Sequence, residues 1–97
     1  MKLVVLYKQP PDPAAFDDHY FNHHLPLVQA IPGLQKATVT RFTRSLMGDG
    51  FYLMAEMHFA DAATFDAAMK TPQMAATGED ANRFAKGLLT IMVAEEV

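Results

Sequence analysis

The strongest constraint on this fold is a set of short strand-like segments that are apolar on both of their faces. A sheet with one face in water alternates apolar and polar residues along each strand. The segment Phe51 to Phe59 does not alternate cleanly. Phe51, Leu53, Ala55, Met57 and Phe59 take one side, and Tyr52, Met54, Glu56 and His58 the other, where half the positions are still apolar. Leu88 to Glu96 carries Leu89, Ile91 and Val93 against Leu88, Thr90 and Met92, and Leu3 to Lys8 carries Leu3, Val5 and Tyr7 against Val4 and Leu6. A sheet of such strands needs cover on both faces. The helices this sequence offers cover one. Apolar burial favours association by roughly 25 cal/mol per Å², and a large bare apolar face is unusual on a monomer. The sequence therefore predicts a symmetric homodimer packed through the helix-free sheet face.

The elements follow a readable order. Leu3 to Lys8 is a short β-branched and aromatic run, hence a first strand. Asp12 before Pro13 gives an N-cap oxygen followed by a proline at the first helical position. Phe16, Tyr20, Leu27 and Ile31 then recur at helical spacing, with a kink or a break expected near His23–Leu25, because Pro26 removes a hydrogen bond and clashes with the carbonyl of Asn22. Pro32-Gly33 closes the helical region. Leu34 to Leu46 reads as strand two and Phe51 to Phe59 as strand three. Met47-Gly48-Asp49-Gly50 between them reads as a tight turn with two glycines free to take positive φ. Asp61 caps a second helix with Phe65, Ala68 and Met69 on its apolar stripe, limited by Pro72. Gln73 to Lys86 reads as irregular with short helical pieces, one of them capped by Asp80 and leading to Phe84. Leu88 to Glu96 is strand four. The order β-α-β-β-α-β predicts one α+β domain over residues 1–97, with a ferredoxin-like, four-stranded antiparallel sheet.

Composition narrows the function classes. The formal net charge is -3 and no Lys/Arg run stands out, so nucleic acid is not an expected partner. Arg41 and Arg44 read as solvated charges. The chain has no cysteine, which removes thiolate chemistry and cysteine-held metals. The apolar run at the start is closed by Lys8 and is too short for a signal peptide or a membrane span, so a cytoplasmic protein away from membranes is expected. No Gly-x-Gly-x-x-Gly, phosphate loop or serine-nucleophile motif is present, and no cofactor is expected.

The chemistry concentrates in residues 17–27, which hold His19, His23 and His24 of the chain's four histidines. On a helix, Tyr20 and His24 share the stripe of Phe16, Leu27 and Ile31. His24 is either a core histidine bonded to a backbone carbonyl that Pro26 frees, or a pocket imidazole that moves protons. Tyr20 either fills the core or orients a substrate or the imidazole. His19 and His23 have the spacing of two metal ligands, but without a clear third the expectation is no metal. His58 belongs to a barrel rim or to a polar spot in a cleft. Met47, Met54, Met57, Met69 and Met92 offer an adaptable lining or an ordinary core.

The segments His19-Tyr20, His24-Leu25-Pro26-Leu27 and Ile31-Pro32-Gly33-Leu34, after a strand ending at Tyr7, resemble the EthD-like family. So do Phe51-Tyr52 to Phe59, Ala67-Ala68-Met69 before Thr71-Pro72, and Asp80, Phe84 and Ala85. The resemblance spans nearly the whole chain. It implies a dimeric α+β barrel and a helix-one histidine at His24. Relatives include lactone isomerases of aromatic catabolism, and more distant fold relatives include cofactor-free monooxygenases and polyketide cyclases. The cysteine that some isomerase relatives use has no counterpart here. The expectation is a cofactor-independent enzyme or auxiliary protein of small-molecule catabolism, acting on a small apolar lactone, aromatic or ether-derived compound. His24 and Tyr20 would be catalytic. Tyr7, His19, Phe16, Met54 and His58 would line the substrate site, between helix one and the sheet. The rival readings are a non-catalytic small-molecule carrier and a structural dimerisation module. A void of roughly 300 Å³ or more, lined by methionine and aromatic residues, separates the first two from the third.

Overall fold

The computed structural model describes all residues, 1–97, in the order β1 (Lys2–Tyr7), α1 (Pro13–His19), a π-helical turn (Tyr20–His24), α2 (Leu25–Gln29), β2 (Lys36–Arg41), β3 (Leu53–His58), α3 (Ala62–Met69), α4 (Pro72–Phe84) and β4 (Leu89–Ala94). The four strands form one antiparallel sheet in the order β2-β3-β1-β4. This is the expected ferredoxin-like α+β architecture, with each helical slot filled by two segments rather than one.

The period of two sorts the sheet. Leu3, Val5 and Tyr7 of β1 and Leu53, Ala55 and Met57 of β3 are buried under the helices, where they meet Phe16, Tyr20, Val28, Phe65 and Met74. The opposite face carries Val4, Leu6, Met54, Glu56 and His58, all half-buried, with Thr90 and Met92 of β4 exposed beside them. No helix covers that face. Edge strand β4 departs from expectation: Ile91, at 49%, and Val93, at 57%, are exposed even though they lie on the helix side.

Local chemistry explains the helix starts. Asp12 Oδ1 accepts from the Ala15 N–H at 3.2 Å, Asp61 Oδ1 from Thr64 at 2.8 Å, and Thr71 Oγ1 from Met74 at 3.2 Å. Pro13 and Pro72 each occupy the opening turn, where no amide hydrogen is needed. Pro72 therefore not only limits α3, which ends at Met69, but also starts a helix, and the stretch expected to be irregular is the long helix α4. Thr71-Pro72 carries the same signal as Asp12-Pro13. Asp80 lies inside α4 and caps nothing.

Pro26 breaks the first α-helical run where expected, between α1, which ends at His19, and α2, which starts at Leu25. A π turn absorbs it: the Leu25 N–H reaches back to the Tyr20 carbonyl, which leaves an extra residue in the turn before the proline. The core stripe consequently runs through Phe16, Tyr20, His24, Val28 and Ile31, and Leu27 is only half-buried. The hairpin also differs. Strand two stops at Arg41, strand three starts at Leu53, and residues 42–52 form a long connection rather than extended strands and a tight turn. Leu46, at 84%, and Met47, at 93%, stand exposed there, with nothing on either side to bury an apolar strand. Gly48 takes positive φ as expected and Gly50 does not.

Candidate active site

The two histidines of the first helical run converge on one carboxylate from α4. His24 Nδ1 lies 2.9 Å from Asp80 Oδ2, and His19 Nε2 lies 2.9 Å from each oxygen of Asp80. The side chains grade inward from solvent: His19 is 35% exposed, Asp80 15% and His24 4%. Phe84, one helical turn after Asp80, packs its ring 4.6 Å from His19 and 5.0 Å from His24, centroid to centroid. The π turn brings His24 to the buried side, and α4 presents Asp80 to it.

The second ring nitrogen of His24 faces open space. His24 borders a cavity of about 220 Å³ that Leu3, Val5, Tyr7, Met57, Met69, Met74, Thr77, Gly78, Ala81 and Ile91 also line. Nδ1 is taken by Asp80, no buried polar side-chain atom is left without a partner, and no protein group pairs with Nε2. Nε2 therefore keeps access to open space, and this cavity is the one that His24 borders. The cavity lies under α4, between its Met74–Thr77–Ala81 stripe and the β1 and β4 strands, and not between the first helix and the sheet as the sequence suggested. It is also smaller than the roughly 300 Å³ expected of an ordinary ligand pocket. Met57 and Met69 line it, together with Met74, and Tyr7 is its single aromatic wall.

Electrostatics suits a base. Burial pushes the His24 imidazole below its ordinary range, and the Asp80 carboxylate only partly opposes this. Burial works to raise Asp80, but the hydrogen bonds from His19 and His24 outweigh it and hold its carboxyl below the usual value. With Asp80 ionised, His24 carries its proton on Nδ1 and presents the Nε2 lone pair to the cavity. Tyr7 and Tyr20 are both driven upward by burial, Tyr20 to about 12, so each keeps its phenolic proton.

The other expected site residues divide. Tyr7 lines the cavity. Tyr20 does not; it packs against the Tyr7 and His24 rings, at 5.7 and 5.4 Å between centroids. Phe16 and His19 border a separate concavity of about 320 Å³, with Pro10, Pro11, Asp12, Ala15, Phe84 and Leu88. Met54 and His58 lie on the helix-free face, where strand alternation separates them from His24 by the thickness of the sheet. They cannot share its cavity. His23 is exposed, and no group of three or more His, Asp or Glu side chains is placed to hold a metal ion. Arg41 is not merely solvated: it bonds the Tyr52 hydroxyl at 2.9 Å and pairs with Asp17 at 3.3 Å. Asp80, Thr77, Met74 and Phe84 are the site residues that strand and motif reading missed. Projecting residues 72–84 as a helix would have placed Met74, Thr77, Ala81 and Phe84 on one stripe with Asp80 beside it.

A model of the EthD domain matches residues 8–87. The chain belongs to the EthD family. An EthD family protein from Bacillus halodurans superposes with a TM-score of 0.93 and is 50% identical, over 99% of this chain and 97% of that one. An uncharacterized 11.0 kDa protein in the thcB-thcC intergenic region of Rhodococcus erythropolis is 33% identical over 98% of this chain and 93% of its own. SnoaB, a cofactor-independent oxygenase from Streptomyces nogalater, shares the fold at a TM-score of 0.64 and 18% identity, covering 99% of this chain and 93% of SnoaB. Other solved structures on the same fold, also below 25% identity, are described as dimeric. No helix of this EthD domain is long and apolar enough to cross a membrane.

Proposed function

We propose that this EthD domain is a cofactor-independent enzyme of small-molecule catabolism in which His24 transfers a proton on a small, largely apolar substrate. One observation carries the reading: His24 is held by Asp80 through Nδ1 and borders an apolar cavity with no protein partner on Nε2. A histidine serving only to fill the core would have both nitrogens paired or sealed in. Asp80 fixes the ring's tautomer and orientation and would stabilise the imidazolium once Nε2 takes a proton, the division of labour seen between carboxylate and imidazole in hydrolytic triads. The surrounding methionines and aliphatic residues give an apolar lining, which strengthens the interaction of the dyad with whatever charge develops. SnoaB supports the cofactor-free part of this reading only by sharing the fold.

The working unit is a homodimer in a cytoplasmic setting. The helix-free face supports it, with Val4, Leu6, Met54 and Met92 contiguous on adjacent strands and no helix above them. The dimeric state of fold relatives points the same way.

The test is a panel of small lactones, cyclic ketones and aromatic compounds, with turnover followed by mass spectrometry and carbon-bound hydrogen exchange followed in D₂O. Wild-type protein should act on at least one compound, and His24→Gln should lower that rate by about 10²–10⁴-fold while binding changes little. Binding without turnover that is indifferent to His24→Gln would make the domain a carrier. Absence of both would leave a dimerisation module.

A further inference from the structure

We infer that the cavity beside His24 selects uncharged carbonyl compounds, with the carbonyl oxygen seated on the hydroxyl of Tyr7, and refuses carboxylates and other anions. The inference deepens the proposed proton transfer and rests on it only for the step that follows binding.

The cavity's polar inventory is short. Its lining is aliphatic and methionine-rich, with His24, Tyr7 and Thr77 as the only polar side chains. The Thr77 hydroxyl already donates to the Gln73 carbonyl at 2.9 Å. The Tyr7 side chain is 1% exposed, its ring is walled by Phe16, Tyr20 and Phe84, and no protein group accepts from its hydroxyl. Because no buried polar side-chain atom is orphaned, that oxygen, like His24 Nε2, must meet open space, and this cavity is the one Tyr7 borders. A buried hydroxyl without a partner is costly unless a ligand or water supplies one. The cavity thus offers one free donor, Tyr7 O–H, and one free acceptor, His24 Nε2.

That pair reads a specific chemistry. A carbonyl oxygen accepts from Tyr7. No Lys or Arg lines the cavity, and the ionised Asp80 stands directly behind His24. A carboxylate would therefore be desolvated with no cation to meet it and a negative charge nearby, which disfavours it strongly. At about 30 Å³ per water the volume equals about seven waters, the size of a single ring with few substituents. Given a bound ketone or lactone, the step balances without a co-reactant. His24 Nε2 takes a proton from the α-carbon. The C–H electron pair becomes the enolate C=C bond, and the carbonyl π pair moves to the oxygen, where the Tyr7 hydrogen bond strengthens. The Nε2 proton then returns to the same or a conjugated carbon.

The experiment uses cyclohexanone and cyclohexanecarboxylate, probes of similar shape and different charge, with the purified protein in D₂O. Protein NMR titrations measure binding and ligand NMR measures α-hydrogen exchange. Cyclohexanone should bind at least tenfold more tightly than the carboxylate. Tyr7→Phe should weaken ketone binding by about tenfold, the loss expected for one hydrogen bond, and slow exchange by about 100-fold, the loss expected for one donor to an oxyanion. Equal or tighter binding of the carboxylate, or ketone binding and exchange that Tyr7→Phe leaves unchanged, overturns the inference. Tyr7-dependent ketone binding without any exchange upholds the ligand class while ending the proton-transfer reading. Exchange that needs His24 but not Tyr7 does the reverse. If Tyr7→Phe fails to fold, the infrared carbonyl band of ¹³C-labelled cyclohexanone decides: a shift to lower frequency on binding wild-type protein supports the Tyr7 seat, and an unshifted band removes it.

Discussion

At the scale of single residues, the proposed chemistry rests on a contact between residues 56 positions apart. His24 was legible as a candidate because it shares a helical stripe with Tyr20 and because its segment resembles the EthD family. Its partner was not. Asp80 comes from another element, and local reading made it a helix cap. The carboxylate sets two measurable properties of the imidazole. Both its hydrogen bond and its charge raise the His24 pKa against the lowering effect of burial. Asp80→Asn should therefore move the His24 titration further down, and should scramble the ring tautomer, both visible in ¹⁵N-resolved NMR of the ring; an upward shift would contradict the assigned dyad. The groups facing His24 are Asp80 from α4, Tyr7 from β1, and His19 and Tyr20 from its own helical run. The linkage to stability has a definite sign. His24 binds its proton less readily folded than unfolded, so its contribution is present above the unfolded value near 6.5 and declines as pH falls through the folded one. Asp80, also lowered, adds a further loss below its unfolded value near 3.8. Chemical denaturation from pH 8 to pH 4 should show stability falling on acidification, and a stability that rises toward pH 5 would refute this account of His24.

At the scale of elements, caps and alternation carried the reading and apolar content misled it. Asp12-Pro13 and Asp61 opened helices where expected, because a side-chain acceptor and a ring-locked φ act locally. Phe42, Leu46 and Phe51 looked like strand residues, yet they lie in the connection after β2, exposed, since strand propensity needs a neighbouring surface to act on. The π turn escaped notice because sequence spacing alone does not show which of two ways a helix accommodates a proline. One element boundary was read for the right reason. Gly33 ends the first helical run with φ +83°, and a Cβ there would sit 2.9 Å from Thr64 Cγ2 in the first turn of α3. Left-handed backbone costs a non-glycine residue roughly 1–2 kcal/mol, and the contact adds to it. Gly33→Ala should lower unfolding free energy by about 2 kcal/mol in urea titrations, with the slope unchanged. An effect within about 0.5 kcal/mol, the range of ordinary surface substitutions, would mean the α2–β2 connection does not need this conformation.

At the scale of the whole molecule, one protomer covers only one of the two apolar faces of its sheet. The helix side of β1 and β3 is buried as expected. The other side is mixed: Val4, Leu6, Met54 and Met92 form a stripe, flanked by Thr38, Thr40 and Thr90 and by the Lys2–Glu56 ion pair at 2.8 Å. That pattern, an apolar centre within a polar rim, is the anatomy of a protein interface more than of a domain core. Met92 gives the cleanest probe, because at 46% exposure on an edge strand it can be changed with little harm to the protomer. A carboxylate at that position would be desolvated without a partner in a symmetric sheet-on-sheet dimer, so its burial opposes association. Met92→Asp should sediment as a 10.7 kDa monomer at micromolar concentration, where the wild type should sediment at twice that mass, with circular dichroism unchanged. A variant that remains dimeric would move the interface off the helix-free face. A wild type that is itself monomeric would show that this mixed face tolerates water, and the cavity under α4 would then have to work within a single chain.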